Sequence, residues 1–277
     1  YRMILELKNV VVNDTRSNEV IVHGSSFIVR KNTWLSIVGE SGSGKSMTTK
    51  AILGLTNPWL KISGTAKYKG KNLIGLKQSE LRKIRGKNIC MIPQDAMTSF
   101  DPLYTIGYQM IETFVENLGI SKEESKKLAI ESLDKMLINN PEEVIKKYPH
   151  QLSGGMLQRC MIAIAIAMKP DIIIADEPTT ALDSINQREV VEEFKRLRDV
   201  TGTSLIFISH DLGVVQSLAD DILVMKNGEC VEYGTAKKIF ENPQHEYTKY
   251  LIDTRVSLTE SFIKAMEKGD TDDVCAG

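Results

Sequence analysis

An eight-residue run, Gly39-Glu40-Ser41-Gly42-Ser43-Gly44-Lys45-Ser46, constrains this 277-residue chain more than any other feature. It fits G-x-x-x-x-G-K-[ST], a loop whose backbone N–H groups close around phosphates. Such a loop needs a buried strand before it and a helix after it, and both are legible. Leu35-Ser36-Ile37-Val38 reads as a short apolar strand, and Lys45 to Leu53 as a helix that Gly54 and Pro58 help to end. Gly42 and Gly44 let amides turn inward, and the helix adds the positive end of its dipole. A surface glycine turn would need neither neighbour.

The rest of the chain alternates strand and helix signals. Ile4–Val12 and Val20–Val29 are rich in β-branched residues and are separated by the polar turn Asn13–Asn18. Ile62–Lys69 reads as another strand, and Ile89–Ile92 as a buried one closing at Pro93-Gln94. From Ile106 to Lys147 apolar and charged residues interleave at helical spacing, with Pro141 suited to a first helical turn. A second series follows: helix 154–168, strand 171–175, helix 185–199, strand 204–208 and helix 212–219. Strands 222–226 and 229–233 then meet at Asn227-Gly228, a hairpin signal. Alternating strands and helices imply a mostly parallel sheet. The stretch beyond Leu251 is weakly amphipathic, then acidic, and is expected to fray.

Charge and cysteines narrow the class. The net charge is −1, with lysines and arginines dispersed, so no nucleic-acid footprint is present. Arg82, Lys83, Arg85 and Lys87 read as a solvated face. Cys90, Cys160, Cys230 and Cys275 stand alone, with no C-x-x-C pair, which argues for reduced, mostly buried thiols rather than a metal site. The longest apolar stretch, Cys160 to Met168, is far short of the ~20 residues that span a bilayer.

Two further motifs specify the phosphate loop's company. Leu152-Ser153-Gly154-Gly155-Met156 precedes a helix, and Ile172-Ile173-Ile174-Ala175 runs directly into Asp176-Glu177. With the glycine loop, they make the chain resemble the ATPase subunits of ABC transporters over nearly its whole length. The resemblance implies a RecA-like α/β core with an N-terminal antiparallel β subdomain and an inserted helical subdomain. On this reading the ATPase domain spans 1–253, the helical subdomain about 95–153, and 254–277 forms a tail.

It also implies the roles. Gly39 to Ser46 (Gly39, Glu40, Ser41, Gly42, Ser43, Gly44, Lys45, Ser46) hold the ATP phosphates, with Lys45 on the β- and γ-phosphates. Ser46, Asp176 and Gln94 serve Mg2+. Glu177 is the general base that polarises the attacking water, a role worth roughly 10²–10⁴-fold. Gln94 is the glutamine that senses ion and water, and His210, one strand–helix unit after Glu177, is the histidine that meets the γ-phosphate. Ser153, Gly154 and Gly155 face the ATP of an opposite subunit, with Gln158 and Arg159 extending that signature, and Asp183 crosses the same interface. His23, His150 and His245 have no comparable context. One feature departs from the family: no aromatic residue lies between Tyr1 and Phe27 to stack on adenine. The base is therefore held loosely or by an apolar or polar substitute.

The segments Gln94 to Pro102 and Asn242 to Leu251 resemble importers of oligopeptides, dipeptides and nickel. Leu157 after Met156, and Cys275 alone near the end, favour the nickel and metal–chelator branch over peptides. The expected partners are a second ATPase subunit (a paralogue), two integral-membrane permeases and an extracytoplasmic substrate-binding protein, with the chain peripheral on the cytoplasmic face. A soluble ABC ATPase of DNA repair or translation is the rival class, but the chain has neither a long coiled coil nor a second phosphate loop. A non-catalytic regulatory module is disfavoured by the presence of Lys45, Glu177 and His210.

Overall fold

Two sheets, stacked with helices, organise the chain in a computed structural model that describes residues 2–180, 182 and 184–254. The first strands, β1 (Met3–Asp14) and β2 (Glu19–Arg30), pair antiparallel, and β4 (Leu60–Tyr68) and β5 (Lys71–Asn72) extend them in the order β2-β1-β4-β5. Between them in sequence come β3 (Trp34–Val38) and α1 (Lys45–Ile52). The short α2 (Gln78–Arg82) leads to β6 (Ile89–Ile92). Helices α3 (Ile106–Leu118), α4 (Lys122–Lys135), α5 (Pro141–Val144) and α6 (Gly154–Ala167) follow. The chain then runs through β7 (Ile172–Asp176), α7 (Ser184–Thr201), β8 (Ser204–Ile208) and α8 (Leu212–Leu218). It continues with β9 (Asp221–Lys226), β10 (Glu229–Thr235) and α9 (Ala236–Glu241), and residues 246–254 are helical.

The second sheet has the order β10-β9-β3-β8-β7-β6, parallel except for β10. Its five parallel strands are buried on both faces, which explains their largely apolar runs. Period-two alternation then sorts their side chains. Ile172, Ile174, Ile206 and Ile208 face α1 and the antiparallel sheet, while Ile173, Ala175, Leu205 and Phe207 face the layer of α3, α4 and α6. Phe207 meets Phe194 of α7 edge to face.

Most sequence-predicted elements are present, with ends moved by a residue or two, and β6 and β8 have the expected bounds. Five pieces were not expected: β5, α2, the 3-10 turn Pro149–Gln151, α9 and the helical residues 246–254. The basic cluster needs correction. Arg85 is only half exposed, and its guanidinium donates to Leu53 O (Nε, 2.7 Å) and Gly54 O (2.9 Å), closing the carbonyl end of α1. It is a helix cap rather than part of a solvated face. Cys90 and Cys160 are buried and Cys230 is half-buried; Cys275 lies outside the described residues, as does the tail from 255.

Candidate nucleotide site

Four strands of the parallel sheet end side by side, and the turn after each supplies part of one site. This is where ligands bind in open parallel sheets, beyond the carboxyl ends of the strands. β3 delivers the glycine loop, β6 delivers Gln94, β7 delivers Asp176 and Glu177, and β8 delivers Ser209 and His210. The order β3-β8-β7-β6 brings together residues far apart in sequence.

The glycine loop has the backbone its motif requires. Gly39, Gly42 and Gly44 have φ of 149°, 81° and 91°. A Cβ on Gly39 would lie 2.1 Å from Met225 O, so no other residue fits there. Gly44 caps α1 without any side-chain hydrogen bond, leaving the first-turn amides to face a ligand. The Asn227-Gly228 turn of the β9–β10 hairpin backs this loop: Gly228 N–H donates to Ser43 O at 3.1 Å. Lys45 Nζ donates to Gly39 O (2.8 Å) and Glu40 O (2.7 Å). Burial lowers the Lys45 pKa from its ordinary value, against the charges of Glu177, Asp176 and Glu40.

Across the cavity, Ser46 Oγ donates to Asp176 Oδ1 at 2.7 Å. Burial holds Asp176 above the usual carboxylate range, opposed by that hydrogen bond. Glu177 is the convergence point. Its Oε2 accepts from Gln94 Nε2 (3.2 Å) and Thr180 Oγ1 (3.1 Å), and lies 3.4 Å from His210 Nδ1. Its backbone is in the left-handed region, φ 46°, a conformation that costs of order 1–3 kcal/mol for a residue with a Cβ. Glu177 N–H donating to Ile208 O at 2.9 Å helps hold that conformation. His210 is set by its neighbours. Asp211 caps α8 through Gly213 and Val214 amides, takes a hydrogen bond from Gln187 Nε2 at 3.0 Å, and donates its own N–H to Ser209 Oγ.

A cavity of about 540 Å³ is lined by Ile21, Ser41 to Met47, Gln94, Glu177 and His210. The expected residues Ser41–Ser46, Gln94, Glu177 and His210 therefore share one cavity, with Asp176 bonded to its Ser46. Gly39 and Glu40 sit at the loop's entrance, lining a neighbouring crevice. Ile21 of β2 is an apolar residue in the region that lacks an aromatic ring. Ser153, Gly154 and Gly155 do not line the cavity. Ser153 is the N-cap of α6, its Oγ accepting from Met156 N–H at 3.2 Å, and Gly154 lines a separate hollow with Gln94. Asp183 lies outside the described residues. Sequence reasoning missed Thr180, Asp211 and the Asn227-Gly228 turn as site residues. Asp211 was visible as a helix-capping residue just before an apolar stretch.

The sequence profile of the family described as ABC transporter matches residues 22–180, and this chain belongs to that family. The metal-staphylopine import system ATP-binding protein CntD of Staphylococcus aureus (strain NCTC 8325 / PS 47) is 43% identical over 270 residues, 98% of this chain and 99% of the relative. The dipeptide transport ATP-binding protein DppD of Lactococcus lactis subsp. cremoris (strain MG1363) is 47% identical over 262 residues, 93% of this chain and 75% of the relative. The dimeric structure of MJ0796, a bacterial ABC transporter cassette, matches with a TM-score of 0.76 at 30% identity, covering 84% of this chain and 99% of that one. Within the family, the chain is the ATP-binding, ATP-hydrolysing subunit of an importer. None of its described helices is long and apolar enough to cross a membrane.

Proposed function

We propose that ATP binds with its phosphates in the Gly39–Ser46 loop and that Glu177 is the general base. The observation that carries this is the meeting of Gln94, Thr180 and His210 on one Glu177 oxygen, beside the cavity of the loop. Lys45 exchanges its carbonyl partners for the β- and γ-phosphates. Glu177 takes a proton from the attacking water, and His210 meets the γ-phosphate, so three strand ends sense one atom. The 1–253 unit acts as the ATPase domain, with α3 to α5 in its inserted subdomain.

The site also fits Mg2+. The Ser46 hydroxyl, the Asp176 carboxylate and the Gln94 amide oxygen are hard oxygen donors. Among the described residues no group of three or more His, Cys, Asp or Glu could hold an ion by itself. Phosphate oxygens and water complete the sphere, as Mg2+ prefers. When bound, the ion supplies neutralisation of the triphosphate charge.

Ser153, Gly154 and Gly155, exposed or half-exposed and off the cavity, serve the ATP of a second subunit in a head-to-tail pair. The dimeric forms of the related cassette support this arrangement. The second subunit is a paralogue. The pair works on the cytoplasmic face of the membrane with two permeases and an extracytoplasmic substrate-binding protein.

The cargo is a metal–chelator complex, nickel included, supported by the match to the metal-staphylopine import ATPase over 98% of this chain. A peptide cargo is the second reading, favoured by the 47% identity to a dipeptide transport ATPase. Uptake in cells carrying wild type or Glu177→Gln separates them. Radioactive nickel uptake that needs both the chelator and an intact Glu177, with dipeptide uptake unaffected, supports the metal reading; the reverse pattern supports peptides.

A further inference from the structure

The C-terminal run Asn242 to Leu251, distinctive in sequence but absent from the roles above, lies against the phosphate loop. Tyr247 is buried, and its hydroxyl accepts the Glu40 N–H at 3.0 Å, a bond between residues 207 positions apart. That N–H belongs to the same peptide group as the Gly39 carbonyl, which accepts from Lys45 Nζ at 2.8 Å. A peptide group is planar and rigid. Lys45 therefore holds one end of this unit and Tyr247 the other.

The tether adds an outside anchor to the bonds the loop makes within itself, Ser43 N–H to Glu40 O at 3.2 Å and Lys45 Nζ to the Gly39 and Glu40 carbonyls. Gly39, Gly42 and Gly44 lack the Cβ that restricts other residues. Tyr247, by contrast, is held from several sides. Its N–H donates to His245 Nδ1 at 3.1 Å, which gives a part to a histidine for which none was expected. The Glu232 carboxylate accepts the Gln244 and His245 amides at 2.9 and 3.0 Å. Lys226 Nζ lies 4.8 Å from the Tyr247 ring centre, and the ring shares an apolar cluster with Val38, the last residue before the loop.

We propose that Tyr247 is a positioning residue for nucleotide binding: it fixes the Gly39–Glu40 peptide and, through it, the position from which Lys45 meets the phosphates. This rests on the phosphate-loop reading above. The test is Tyr247→Phe in the full chain, which keeps the ring and removes the acceptor. Calorimetric titration with Mg-ADP should show Kd raised about two- to tenfold, the range one hydrogen bond supplies. The Glu40 amide should also exchange its hydrogen faster. A merely structural role lowers the amount of folded protein and the thermal midpoint, but leaves Kd where it was.

Tyr233→Phe provides the matched control, because it removes a hydroxyl bond to Ile28 O that touches no loop residue; its Kd should stay at the wild-type value. Lys45→Ala separates the two levels of the reading. If it leaves Kd unchanged, the phosphate-loop reading itself is wrong. If it weakens binding while Tyr247→Phe does not, only the positioning role is overturned. Should Tyr247→Phe fail to fold, Glu232→Gln carries the test: it can accept fewer amides, loosens the run, and must raise Kd in the same direction or the proposal falls.

Discussion

Replacing Glu177 with glutamine isolates proton transfer from binding. Glutamine has the same length, and its carbonyl oxygen can take the hydrogen bonds that Gln94 and Thr180 now give to Oε2 at 3.2 and 3.1 Å. The left-handed backbone at φ 46° is no harder for glutamine than for glutamate. What is lost is the basic oxygen. A positioned general base contributes roughly 10²–10⁴-fold, which is about 2.7–5.4 kcal/mol of barrier at about 1.36 kcal/mol per decade. Removing a negative charge from beside the γ-phosphate should not weaken the ground state, so Kd for ATP should stay within about threefold, well under one decade of affinity. The assay pairs equilibrium ATP binding with phosphate release in a single turnover. Turnover at or below about a hundredth of wild type, with binding intact, is expected. Wild-type turnover in the variant would refute the assignment, and so would loss of binding, because either outcome breaks the separation the geometry implies.

Other outcomes follow from the same site. Ser153→Arg removes the N-cap of α6, worth about 0.5–2 kcal/mol, and should leave ATP binding to the chain's own loop intact while blocking hydrolysis at a partner's loop. If the chain also pairs with itself in the absence of its paralogue, mixing Ser153→Arg with Lys45→Ala chains should give more ATPase activity than either alone, since one composite site escapes both lesions; full turnover by the isolated monomer at every dilution would contradict the shared-site arrangement. With Ile21 in place of an aromatic ring at the cavity wall, competition binding of ATP and GTP should give affinities within about one decade, or about 1.4 kcal/mol, and a thousandfold preference would reveal another base contact. Burial pushes the thiols of Cys90 and Cys160 up to about 12 and that of Cys230 to about 11, so alkylation of native protein at mildly alkaline pH, read by mass spectrometry, should leave Cys90 and Cys160 unmodified until denaturant is added.

What the sequence reveals is uneven, and the reason is where the information is stored. β6 and β8 are continuous apolar runs because both faces are covered, and their bounds are readable residue by residue. The loop, Asp176, Glu177 and His210 are readable because each sits at the end of such a run. The short α2 and α9 carry too few residues for a periodic stripe, so distant packing decides them. Arg85 reads as a charge in a basic cluster until Leu53 and Gly54 are placed beside it. Tyr247 lies in a motif that the sequence marks, yet its partner Glu40 is 207 positions away and only the fold joins them. The convergence on Glu177 was also hidden, since it depends on the strand order.

That strand order has a consequence for synthesis. The strand feeding the phosphate loop lies between β8 and β9, with Trp34 opposite Leu205 and Leu35 opposite Asp221. While the chain emerges from the ribosome, this strand has two open edges until both partners, made far later, arrive. Such distant pairings form slowly because chain closure must precede any contact. A product truncated before Ser204 carries the whole glycine motif but neither of the two strands that flank β3. Such a fragment is expected to bind nucleotide far more weakly than the full chain, which titration of both with Mg-ADP would check. The motif is thus made early, but the sheet that aims it waits for β8 and β9.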